Sequence, residues 1–131
     1  MQGRRTEEGQ EGCTELSGSG FVVGGPGLDS LVAVFEDDGQ TGYLYVYDSA
    51  SEKITTDLHV YDRSPSLMVN EGDVFVTWTT DFSRCGVVIW GEMMGVIDVK
   101  TGQGWSARMQ SRESIGLDGA VIEGFKRELA S

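Results

Sequence analysis

The feature that most narrows the fold is a rhythm of short apolar runs cut by turn residues. Eight runs, at residues 20–24, 31–37, 42–48, 54–62, 73–79, 85–91, 93–99 and 104–109, are rich in Val, Ile, Tyr and Trp, with Gly, Asp, Ser or Pro clusters between them. Branched and aromatic side chains suit a pleated surface, and the intervening residues adopt the backbone angles that turns require, so the runs predict strands. The gaps are shorter than the dozen or more residues a parallel crossover needs, so neighbouring strands are expected to be antiparallel. The expected architecture is mainly β: an antiparallel meander forming a curved sheet, a sandwich or a partly open barrel. A weak internal echo, YVYDSASEKI against VIDVKTGQGW, repeats strand, Asp, polar turn and strand. It has the phrasing of a propeller blade, but 131 residues hold two blades at most, and closure takes about four.

Helical spacing occurs once, in DGAVIEGFKRELAS. Val121, Ile122, Phe125 and Leu129 share a face, Asp118 is placed to cap the start, and Lys126 and Arg127 suit the negative end of the dipole. Gly124 costs such a helix about 1 kcal/mol relative to alanine, so a helix over about 119–130 is expected to depend on packing against the sheet. Residues 1–19 are polar and aperiodic, which predicts a mobile leader ahead of a single β-rich domain at 20–131.

The net charge of −11 is unevenly placed. Residues 29–81 hold eleven carboxylates against two bases, Lys53 and Arg63, a local charge of −9. Such a surface repels phosphate backbones and attracts a basic protein, so direct nucleic-acid binding is not expected. No run of eighteen apolar residues is present to span a membrane. The two N-terminal arginines precede no apolar run, so neither a signal nor a transit peptide is read. Cys13, in the polar leader, and Cys85, in an apolar strand, read as reduced thiols of a cytoplasmic protein rather than a disulfide.

The stretch FEDDGQTGYLYVYD, residues 35–48, invites a metal reading. Aligned as a calcium loop from Asp37, it has Gly42 at the sixth position and Asp48 at the twelfth, but Gly39 and Thr41 occupy the third and fifth, where oxygen ligands belong. A hairpin accounts for the same residues better. One histidine and two distant cysteines make no familiar zinc set, GSGFVVGGPG lacks the Lys-Ser/Thr ending of a phosphate loop, and no serine lies in a nucleophile elbow. No metal, cofactor or catalytic residue is assigned.

Strand alternation is more informative. It places Tyr43, Tyr45 and Tyr47 on one face of their strand, with Leu44 and Val46 on the core side. Matching apolar residues across the next hairpin sets Tyr47 opposite Thr55, Tyr45 opposite Asp57 and Tyr43 opposite His59, with Tyr61 on the same face. The candidate binding face is therefore Tyr43, Tyr45, Tyr47, Asp57, His59 and Tyr61, beside an acidic surface of Glu36, Asp37, Asp38, Asp48 and Asp62. The tyrosines either meet a partner or lie beneath the helix or leader. Trp78 and Trp90 read as core, and Trp105 as partly exposed.

Together VFEDDGQTGYLYVYD, TTDLHVYD and VTWTTDFSRCGVVIWGEMMGVIDVKTGQGW resemble an uncharacterised family of small bacterial proteins, a domain of unknown function. The family pairs an acidic Glu-Asp-x-Gly-x-Thr-Gly-Tyr hairpin with an Asp-x-Leu-His-x-Tyr strand and a later Trp-bearing hairpin. The resemblance covers about residues 31–106 and implies a bacterial source, but it brings no activity to carry over. The longer leader and the GEMMG turn depart from its pattern.

The first functional reading is a non-enzymatic acidic binding module, of the immunity type, that engages a basic protein. The alternative is a small hydrolase or ligand-binding enzyme using Asp57, His59 and a tyrosine. A third reading is a structural homo-oligomer, such as a homodimer joined through a strand edge.

Overall fold

The computed structural model describes residues 20–110, 116–117 and 119–130. The expected leader at 1–19, Cys13, the Asp118 cap and the side chains of Lys126, Arg127 and Leu129 lie outside the described residues.

All eight expected strands are present. They form two consecutive antiparallel four-stranded meanders. The first is β1 (Phe21–Pro26), β2 (Leu31–Asp37), β3 (Thr41–Asp48) and β4 (Lys53–Asp62); the second is β5 (Val74–Trp78), β6 (Arg84–Ile89), β7 (Glu92–Asp98) and β8 (Gly104–Ser106). Alternation sends Ala33, Phe35, Leu44, Val46 and Val60 of the first sheet inward. They meet Trp78, Cys85, Val87, Ile89, Met94 and Ile97 of the second in one buried core. The free Cys85 thiol lies in this layer, where burial pushes its pKa up to about 12.

Of the expected architectures, the chain adopts the sandwich. Its two edges are stitched without completing a barrel. At one edge the Trp78 indole N–H donates to the Gly25 carbonyl at 2.8 Å. Gly27 lies so close to that indole that a Cβ there would meet a ring carbon at 2.5 Å, so only glycine fits. At the other edge the Met109 N–H donates to the Val60 carbonyl at 3.0 Å and the Ser106 hydroxyl to the His59 carbonyl at 2.7 Å.

The outer face of the second sheet carries helix α1 (Gly119–Ala130). Fully buried Phe125 packs on Met93 and Val96, flanked by Val88, Trp105, Leu117, Val121 and Ile122. Strand β6 is thus covered on both sides, as its two apolar faces imply. Trp78 is buried, but Trp90 departs from the strand reading. With Gly91 it forms a two-residue hairpin turn in which both residues take positive φ, 53° and 80°, and it packs half-buried against the core. Trp105 is half-buried, with the Arg84 guanidinium 5.2 Å from its ring centroid.

The β5–β6 turn shows how the acidic residues serve the fold. Asp81 accepts from the Ser83 hydroxyl at 2.7 Å, the Ser83 N–H at 3.0 Å and the Thr79 hydroxyl at 2.8 Å. These donors, the Ser83 hydroxyl foremost, hold its pKa down at about 2. A depressed carboxyl stabilises the fold above its unfolded pKa of about 3.9 and loses that contribution as pH falls through the folded value. Asp81→Asn should therefore lower the urea midpoint above about pH 4, with the gap from the parent closing toward pH 2. A gap that stays constant over that range would refute the assignment.

Candidate functional site

The outer face of the first sheet is built by register. Its positions align in rows across the four strands: Pro26, Val32, Tyr47 and Ile54; then Gly24, Val34, Tyr45 and Asp57; then Val22, Glu36, Tyr43 and His59. Beyond them, Asp38 in the β2–β3 turn and the Thr41–Asp62 pair close the end of the sheet. The face therefore grades along the strands from apolar to acidic. Helix α1 covers the other sheet, on the opposite side of the sandwich, so the tyrosines do not lie beneath it. Tyr43, Tyr45 and Tyr47 are half-buried, while Val22 and Ile54 are 58% and 56% exposed.

The Tyr43 and Tyr45 hydroxyls lean toward the acidic end. The Tyr43 hydroxyl donates to Asp38 at 3.3 Å and the Tyr45 hydroxyl to Glu36 at 3.1 Å. The Asp38 charge raises the Tyr43 pKa; partial burial, then Glu36, raises that of Tyr45, so both stay protonated donors. Asp38 itself accepts the Thr41 and Gln40 N–H groups, which lower its pKa. Asp62 bonds His59 Nε2 at 3.0 Å and accepts the Thr41 hydroxyl at 3.1 Å, and its pKa is lowered chiefly by the histidine. The turn carboxylates are thus engaged by backbone and side-chain donors. Among the described residues no three His, Cys, Asp or Glu side chains gather as a metal would need.

The pairings Tyr43–His59 and Tyr45–Asp57 stand as expected from the alternation. Tyr47 does not face Thr55. A register shift between Val46 and Tyr47 sets Ile54 opposite it, and the Thr55 hydroxyl donates to the Val46 carbonyl.

Tyr61 does not belong to this face. A second shift, between Gly42 and Tyr43, leaves both Val60 and Tyr61 buried, and the Tyr61 ring lies over Gly42. A Cβ on Gly42 would stand 2.5 Å from that ring and 2.8 Å from the Phe35 ring. Asp37 is likewise buried rather than part of the acidic surface, because it continues the inward series Ala33, Phe35, Asp37. Its carboxylate receives the Tyr61 hydroxyl at 2.5 Å, Arg63 Nε at 2.9 Å and the Gly39 N–H at 2.8 Å. A guanidinium nitrogen of Arg63 also donates to the Val69 carbonyl at 3.2 Å. Burial, with help from the Asp37 bond, pushes the Tyr61 pKa far up, so its hydroxyl is a fixed donor. This buried ion pair was not anticipated from the sequence. Its signals were the inward parity of Asp37 and the rarity of bases between residues 29 and 81.

Asp48 is also apart from the other acids. It lies at the opposite end of β3, paired with Leu31 and Lys53, and accepts the Ser30 hydroxyl and the Ala50 N–H. The Ser30 bond leads in lowering its pKa. The site that geometry assembles is therefore Tyr43, Tyr45, Tyr47, Asp57 and His59, with Ile54 at one end and Glu36, Asp38 and Asp62 at the other. His59 bonds Asp62 rather than Asp57.

No curated protein and no solved structure matches the chain. Among the described residues no helix is long and apolar enough to cross a membrane. The strand and hairpin motifs around this face do fall within a family match: residues 17–116 fit the family model DUF2251, an uncharacterized protein conserved in bacteria, and the chain belongs to that family.

Proposed function

We propose that the protein is a non-enzymatic, cytoplasmic binding module whose first-sheet outer face engages a basic protein, in the manner of an immunity protein that masks its partner. The carrying observation is the graded face: an aromatic and aliphatic end at Tyr47 and Ile54 running into the carboxylates of Glu36, Asp38 and Asp62. Tyrosine supplies rigid contact area with a polar tip, and complementary charge speeds encounter and selects the partner. The partner's basic side chains would meet the Asp38 and Asp62 end.

Two features weigh against a homodimer through the β4 edge. The shift at Thr55 breaks the ladder, and Lys53 sits at the start of the edge, both devices that discourage strand addition.

The test is capture from a bacterial extract. The parent is expected to retain a basic protein at low salt and release it as ionic strength rises, because exposed charges are screened over about 8 Å at physiological salt. Tyr45→Ala should weaken capture by about thirtyfold, as truncation of a central interface aromatic does, and Asp62→Lys should slow association. Glu92→Lys, on the second sheet, should leave capture unchanged. No capture at low salt, or capture indifferent to Tyr45→Ala, would sink the proposal.

A further inference from the structure

The seam between the two sheets holds an open groove of about 370 Å³. Its floor is Val60, Tyr61 and Met109, and its walls are His59, Asp62, Arg63, Ser64, Arg108 and Gln110. The floor is fixed, because Tyr61 and Met109 are buried and the Met109 N–H bonds the Val60 carbonyl. The volume falls in the range of small-molecule sites, which combine an apolar floor with a few polar groups.

The charge pattern of the groove is unlike the rest of the first sheet. Two arginines and the chain's one histidine converge here, on a protein with 21 acids and 10 Lys and Arg residues. Arg63 is neutralised by Asp37 behind the wall, and Asp62 is engaged by His59 and Thr41. Arg84, on the far sheet, is paired with Asp98. Arg108 differs from both: among the described residues no carboxylate lies within ion-pair distance of it. Its backbone takes a positive φ of 51°, an uncommon conformation for a long side chain, and its N–H is held by the Ser106 hydroxyl at 3.1 Å.

We propose that this groove binds a small organic anion, a carboxylate or phosphate monoester with an apolar body, whose charged group pairs with Arg108. The Ser64 hydroxyl and the His59 ring flank the charged group, and the apolar body rests on Met109 and Val60. The Asp62 carboxylate at the rim disfavours ligands with several charges. This groove adjoins the acidic end of the graded face and shares His59 and Asp62 with it, while Arg108, Met109 and Ser64 lie outside that face.

The experiment is a titration followed by amide NMR shifts, using benzoate and phenyl phosphate as probes and benzyl alcohol as the uncharged control. Saturable shifts at His59, Ser64, Arg108 and Gln110 are expected with one or both anions and not with the alcohol, and the stronger anion identifies the charged group. Arg108→Asn, which tolerates the positive φ, should weaken binding about tenfold, and Arg108→Lys should recover part of it. Failure of both anions to saturate, equal shifts with benzyl alcohol, or undiminished binding in Arg108→Asn would overturn the proposal.

Discussion

Arg63→Ala should lower the unfolding free energy by about 3–5 kcal/mol, measured as a drop in the urea midpoint with the slope unchanged. The Arg63 and Asp37 side chains are only 6% and 0% exposed, so removing the cation leaves a carboxylate buried without its counter-charge. The Tyr61 hydroxyl and the Gly39 N–H would remain as its donors. Replacing both partners together, as Asp37→Leu with Arg63→Met, should cost much less than either single change. The desolvation of two charges then disappears along with their attraction. A single-variant loss below about 1 kcal/mol would mean that water reaches the pair, as it does for exposed bridges.

The second large effect is expected at Phe125. Phe125→Ala removes the one fully buried aromatic that joins α1 to Met93 and Val96, and truncations of this kind cost about 3–5 kcal/mol. The loss should be uneven. A 12-residue helix carrying an interior glycine is marginal by itself, so the helical circular dichroism signal should fall while the sheet signal persists. Hydrogen exchange should quicken at Val88 and Val96 beneath the helix and change little at Phe35 and Leu44. Uniform quickening through both sheets would show that the helix is integral to the core.

Why the strands were legible and part of the site was not follows from what sets each. Strand positions follow side-chain type and turn residues, which are local, and alternation placed Tyr43 and Tyr45 beside His59 and Asp57 because nothing interrupts the ladder there. Tyr61 defeated the same rule. An extra residue at Val60 flips the parity, and the space that accepts the ring comes from Gly42, nineteen positions earlier and on another strand. Asp37 was misplaced for a different reason. Its alternation pointed inward, but its charge argued for the surface, and only the distant Arg63 reconciles the two. Trp90 was read as strand because it follows an apolar run. Its positive φ is set by the tight reversal into β7, a position where asparagine or aspartate is more usual.

The consecutive meander has a kinetic consequence. Every strand pairing within each sheet joins chain neighbours, so each hairpin closes only a short loop, and the entropy of that closure is small. Long-range closure is confined to the seams, such as Trp78 onto Gly25 and Met109 onto Val60. A Greek-key sandwich of the same length must instead bring distant strands together to complete either sheet. This chain can zip each layer from local contacts and dock the layers afterwards, which lowers its contact order and sets its folding rate toward the fast end for an all-β protein.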